Sequence, residues 1–177
     1  MAGPSLRYFA YGSNLFSPRL RARAPSARVV GVAVLPGHAL RFHKRGRGDG
    51  SGKCNVWRDA AAPGVPGALY EVADPEWADL DAAEGRGSGY ERLEVVVVRA
   101  GGERVAASTY VAQPHAIDDT LLPYRWYRDL VLAGAREHAL PSEHVARIEA
   151  QACKEDPDRK RDADARRLLA SLPRAAR

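Results

Sequence analysis

Cysteine, methionine and long apolar runs are what this chain of 177 residues has least of. Its two cysteines, Cys54 and Cys153, stand far apart and cannot frame a disulfide scaffold, so a reducing, cytoplasmic setting is expected. The longest uncharged apolar runs, VVGVAVL and VVVV, fall well short of the ~20 residues that cross a bilayer, and no membrane partner is expected. The first thirty residues lack the basic, apolar, small-residue order of a secretory leader. No C-x-x-C or H-E-x-x-H occurs. His38 and His43 share one expected strand, and His138 and His144 flank a proline, so no metal site is expected. GRGDGSG is rich in glycine, but it runs into Lys53-Cys54 with no helix signal behind it. That excludes a Walker-type phosphate loop.

Acid is scarce in one region only. Residues 1–58 hold eleven Lys and Arg against the single acid Asp49, whereas 59–153 hold sixteen acids and eight bases. The net charge of +5 therefore sits mainly on the N-terminal third. That basic region lacks the interleaved aromatics of a single-strand groove and any base-reading motif, so nucleic acid is not an expected partner. Residues 154–177 mix both signs and read as a charged, solvated extension with a short helix around Asp164 to Leu172. The remainder, 1–153, reads as one domain, and with 45% hydrophobic residues the chain can bury a core.

Strand signals dominate the first two thirds. RYFAY, RVVGVAVL, HALRFH, CNVW, GALYEV, YERLEVVVV and RVAASTYVA follow one another without long helices between them. A turn at Pro36-Gly37 and a hairpin loop at RAGGE separate two of the pairs. This order excludes a doubly wound parallel sheet and favours an antiparallel sheet or barrel. One helix interrupts the strands, DPEWADLDAAEG, with Asp74 as N-cap, Pro75 in the first turn, Trp77, Leu80 and Ala83 on one face, and Gly85 as the stop. The last third turns helical. LPYRWYRDLVLAGAREHAL buries Trp126 and Leu130, and Ser142 caps a second helix that buries Val145 and Ile148.

Two short stretches carry possible chemistry. In YFAYGSNL, Tyr8 to Leu15, a strand ends in three small residues. The same composition serves an ordinary turn or a cradle whose backbone N–H groups approach a bound anion. Glu84 ends the helix before Gly85. A carboxylate there faces the negative end of the helix dipole, which together with burial favours the proton-holding form that a general base needs. The same residue also reads as a surface Glu before a C-cap glycine. Ser13 lies in G-S-N, not in the G-x-S-x-G of a nucleophile elbow, and Cys54 has no histidine that spacing selects as its partner.

YFAYGSNL followed by LDAAEGRGSGY resembles the γ-glutamylcyclotransferase family. APSARVVGVAVLPGHALRF, GVPGALYEV and YRDLVLAGAREHALPSEHVARIEA are similar to further parts of it, so the resemblance runs from about Arg7 to Ala150. It implies an α+β fold built on a small, mostly antiparallel β-barrel with packed helices. It implies a reaction without metal or cofactor, in which the α-amine of a γ-glutamyl group attacks its own γ-carbonyl and releases 5-oxoproline and an amine. Glu84 matches the catalytic glutamate. Gly12, Ser13 and Asn14 match the loop that holds the glutamyl carboxylate or the oxyanion, with Tyr11 and Leu15 at its ends. Tyr90 and Tyr127 resemble pocket tyrosines. The substrate is a small γ-glutamyl compound or, alternatively, a biosynthetic intermediate carrying γ-glutamyl as a protecting group. A non-catalytic ligand-binding member of the fold, and a homodimer, are also within the family's range. The basic segment RFHKRGRGDGSGK, with Arg41, Lys44, Arg45, Arg47 and Lys53, favours an anionic or carrier-bound partner if it lies over the pocket mouth.

Overall fold

A computed structural model describes residues 5–171. Five strands close into a barrel in the order β1, β5, β2, β6, β7. β1 spans Ser5–Ala10, β2 Arg28–Leu35, β5 Val65–Ala73, β6 Tyr90–Arg99 and β7 Arg104–Ala112. Neighbours pair antiparallel, with Tyr8 opposite Tyr70 and Tyr90 opposite Ala112, except where β1 meets β7 in parallel at Tyr8 and Ser108. This is the α+β, mostly antiparallel barrel that the strand order leads one to expect. β6 shows why its valine run is a strand. Val97 points into the core while Val96 stays 40% exposed, the period of two that a half-buried strand requires. The core holds Phe9, Leu69, Tyr70, Val72 and Val97.

The Pro36-Gly37 turn does more than reverse the chain. Among the described residues β3 (His38–Arg45) and β4 (Gly52–Arg58) pair with each other and with no barrel strand, so the turn hands the chain to a separate two-stranded ribbon. GRGDGSG is the loop of that ribbon. Asp49 closes it by accepting hydrogen bonds from the Ser51 N–H at 3.0 Å and from the Lys53 ammonium at 2.6 Å.

α1 (Ser17–Arg21) follows the first strand, α2 (Trp77–Glu84) follows β5, and α3 (Arg125–Glu137), α4 (Ser142–Glu149) and α5 (Arg159–Ala170) end the chain. Two capping expectations fail. Asp74 lies inside a 3-10 turn, Asp74–Glu76, that begins after extended Ala73 and has no side-chain cap. Extended Pro141, not Ser142, precedes α4. In both places a proline at the junction moves the boundary by one residue. Trp77 and Leu80 are buried as expected, but Ala83, one residue before the end of α2, is exposed.

The charged segment after Cys153 folds back onto the body. Lys154 bridges Tyr124, and its carbonyl accepts from the Arg125 N–H at 2.9 Å. Asp156 accepts from the Trp126 indole N–H at 2.7 Å and from both arms of Arg161 at 2.6 Å. Burial raises the Asp156 carboxyl, but hydrogen bonds from Arg161 and Trp126 outweigh it and hold it at about 2. α5, capped by Asp158, starts earlier than expected and packs through Ala165, Leu168 and Leu169 instead of lying in solvent. Leu172, the last residue of the expected helix, lies outside the described residues. Among the described residues no helix is long and apolar enough to cross a membrane.

Candidate active site

The first wall of the site is the end of β1. The chain leaves the strand at Ala10 and tightens into a single 3-10 turn, Ser13–Leu15, whose first bond runs from the Leu15 N–H to the Gly12 carbonyl at 2.9 Å. The N–H groups of Gly12, Ser13 and Asn14 precede that bond and take no part in it. A side chain at Gly12 would place its Cβ 3.0 Å from that of Cys54, so the close approach of turn to ribbon leaves little room for one.

The second wall is the end of α2. Gly85 adopts a left-handed conformation at φ 69°, which terminates the helix and leaves Glu84 as its last residue. The Glu84 carboxylate is not left alone at the negative helix end. Its Oε1 accepts from the Asn14 amide at 3.0 Å and from the Arg23 guanidinium, and the same Arg23 nitrogen donates to Asn14 Oδ1 at 2.9 Å. The Asn14 amide also donates to the Tyr8 hydroxyl at 3.0 Å. Thus Asn14 of the turn, Glu84 of α2 and Arg23 after α1 form one polar knot.

Behind the knot lies a narrow pocket of about 20 Å³ with five tyrosines, Tyr8, Tyr11, Tyr90, Tyr110 and Tyr127, in its lining. Tyr11 donates to the Tyr110 carbonyl at 2.5 Å, Tyr110 to Asp81 at 2.6 Å and Tyr90 to the Cys54 carbonyl. Tyr127 accepts from the Cys54 N–H at 3.0 Å. Burial raises the pKa of all five phenols, so the walls are neutral hydrogen-bonding surfaces. Burial also pushes the Cys54 thiol up to about 12. Cys54 is therefore a protonated wall residue at neutral pH and not an activated nucleophile. Glu84 is the one carboxylate in the lining.

In front of the knot a wider cleft of about 220 Å³ shares Ser13, Glu84, Tyr90 and Tyr127 with the pocket. Its walls carry Arg19, Arg23, Lys44, Arg47 and Lys53, with Asp49. Of the basic segment, then, Lys44, Arg47 and Lys53 reach the mouth. Arg45 does not: it turns outward to Asp118 at 3.3 Å. Arg41 is exposed and outside the lining.

Of the residues singled out from the sequence, Tyr11, Gly12, Ser13, Asn14, Glu84, Tyr90 and Tyr127 come together around one cavity. Leu15 does not join them. The 3-10 turn rotates its side chain into the core, where it is fully buried, and its carbonyl accepts from the Tyr70 hydroxyl at 3.0 Å. Sequence reading missed Tyr8, Tyr110, Arg19 and Arg23. The last two carried a signal: they stand four apart directly after the turn, and on one helical face they would both reach back to it. Arg19 does so by donating to Ser13 Oγ at 3.1 Å.

Comparison with known proteins gives three findings. The AIG2-like family matches residues 64–148. Gamma-glutamylcyclotransferase of Bos taurus is 32% identical over 155 residues, which cover 82% of this chain and 78% of that protein, and that of Homo sapiens gives the same figures. A solved structure named gamma-glutamyl cyclotransferase superposes with a TM-score of 0.81 at 25% identity, covering 93% of this chain and 99% of the other.

Proposed function

The chain belongs to the γ-glutamylcyclotransferase family, and on that premise we propose that it closes the γ-glutamyl group of a small substrate into 5-oxoproline. The α-amine nitrogen attacks the γ-carbonyl carbon of the same glutamyl unit. The new C–N bond completes a five-membered lactam, and the old amide C–N bond breaks. Glu84 takes a proton from the attacking nitrogen and delivers one to the departing amine, so the proton count closes within one turnover.

The reaction is intramolecular, so the protein has two tasks: folding the glutamyl chain into its ring-closing shape and moving one proton. The tyrosine-lined cavity suits the first task, because neutral walls hold the chain without competing for the proton. Gly12, Ser13 and Asn14 offer N–H groups to the glutamyl carboxylate or to the oxygen that gains charge at the γ-carbon. The observation that carries the reading is the shared position of Glu84. It lines both the tyrosine pocket and the wider cleft, with the Gly12–Asn14 turn facing it, so one carboxylate can serve both attacking and departing nitrogens. Asn14 and Arg23 bind one of its oxygens and hold the group in place.

The test is release of 5-oxoproline from a panel of γ-glutamyl compounds by wild type and Glu84→Gln side by side. Release by wild type that is lost in the variant is expected. Equal release by both would remove Glu84 from the mechanism.

A further inference from the structure

The cleft in front of Glu84 holds more positive charge than its own acids balance. Glu84 engages Arg23, and Asp49 engages Lys53 at 2.6 Å. Among the described residues Arg19, Lys44 and Arg47 have no carboxylate within ion-pair distance. Arg19 bonds only the Ser13 hydroxyl, and Lys44 lies 4.5 Å from the centre of the Tyr90 ring. Lys44 is the telling residue, because it is 3% exposed. A buried ammonium is expelled or paired unless something else supplies the charge. Here space is reserved for it: a Cβ at Gly89 would sit 2.8 Å from Lys44 Nζ. Desolvation lowers the pKa of both Lys44 and Arg19, Arg19 to about 10, which still leaves that guanidinium charged at neutral pH.

We infer that this cleft is a subsite for a leaving amine carrying two negative charges in a compact group, a dicarboxylate or a phosphonate, held by Lys44, Arg47 and Arg19. The inference rests on the cyclotransferase reading for where the amine lies, because the leaving nitrogen must be near Glu84 and the cleft is the open side of Glu84. One carboxylate would neutralise one of three cations that lack an ion-pair partner among the described residues. Two charges leave one cation over, and they do so beside neutral walls where charge-assisted hydrogen bonds are strong. The same field excludes leaving amines that are themselves polycationic, which gives specificity by repulsion as well as attraction. In the step itself the amide C–N bond breaks, the nitrogen takes the proton from Glu84, and the anionic group departs with the amine.

The experiment compares γ-glutamyl methylamide, γ-glutamylalanine, γ-glutamylaspartate and γ-glutamyl aminoethylphosphonate, whose leaving amines carry none, one, two and two added negative charges. Wild-type kcat/KM should rise about tenfold or more from the neutral to each dianionic compound, mainly through KM, and the rise should shrink at high salt. Arg47→Gln, at an exposed position, and Lys44→Met should lose at least about tenfold more on the dianionic compounds than on the methylamide. Glu84-dependent release with no preference by charge would overturn the subsite and leave the cyclotransferase reading intact. Release from none of the compounds would count against that reading, and the subsite would then be judged by calorimetric titration with inorganic phosphate and succinate. Binding by wild type that weakens in Arg47→Gln supports the subsite; no binding of either anion overturns it.

Discussion

A carboxylate at the C-terminal end of a helix meets the wrong sign of dipole, and Glu84 shows how a protein answers that. Arg23 and Asn14 both engage Oε1, which supplies the missing positive charge and leaves the second oxygen for the proton transfer of the proposed reaction. Replacing Glu84 with Gln keeps the size and one acceptor oxygen for Asn14 and Arg23, turns the other edge into a donor, and removes the carboxylate that the proposed reaction uses as proton carrier. Turnover should fall roughly 10²–10⁴-fold with an unchanged melting temperature; a fall of less than a few-fold would mean that another group moves the proton. Arg23→Ala should cost less, about 10–100-fold in kcat, because it removes a charge-assisted bond that orients Glu84 and not the carboxylate itself. Single-turnover rates on γ-glutamyl methylamide would separate this from any effect on the anionic subsite. Glu84 was legible in the sequence because helix stops are local: a left-handed glycine is written as Gly after a helical run. Arg23 was not, because its partner lies sixty-one residues away and no local rule joins them.

At the scale of elements, the sequence named the strands well and their boundaries less well. β2 and β7 coincide with the runs RVVGVAVL and RVAASTYVA, since β-branched residues with turn residues on both sides leave one assignment. The caps were misjudged at Asp74 and Ser142 because a neighbouring proline fixes the backbone angle and decides which residue enters the helix first. In the charged segment, composition counts Asp156 as one more surface acid, whereas the fold buries it against Trp126. That contact ties α5 to the site, since Trp126 also lines the cleft. Asp156→Ala would strand a buried indole N–H and free both arms of Arg161. The expected cost is about 1–3 kcal/mol in denaturant unfolding, with α5 becoming accessible to protease before the barrel does. Unchanged stability together with unchanged proteolysis of α5 would show that this contact does not hold the helix in place.

For the whole molecule, the strand order and the family resemblance pointed to the barrel, whereas the joining of ribbon to helices could not be read from the chain, because it depends on contacts between segments far apart. The parallel contact of β1 with β7, and the isolation of the β3–β4 ribbon, follow from no run of residues taken singly. His144 reports on that assembly. It lies in α4 against the ribbon, in a space shared with Leu40 and Phe42, and its Nε2 is buried without a hydrogen-bond partner among the described residues. Burial, helped by the charge of Arg147, lowers its pKa from 6.5 to about 4. The unfolded chain therefore takes up this proton as pH falls through 6.5, while the folded protein does so only near 4. Unfolding is favoured progressively across that window, by up to about 3 kcal/mol at its acid end. Asp156 acts in a later window. Its lowered pKa makes its contribution present above 3.8 and lost as pH falls towards 2. Urea midpoints measured from pH 7 to 4 should thus decline before any carboxylate of this kind is involved. His144→Gln should flatten that decline while leaving the loss below 3.8 in place. An equal decline in the variant would mean that His144 is not what couples protonation to the seam between α4 and the ribbon.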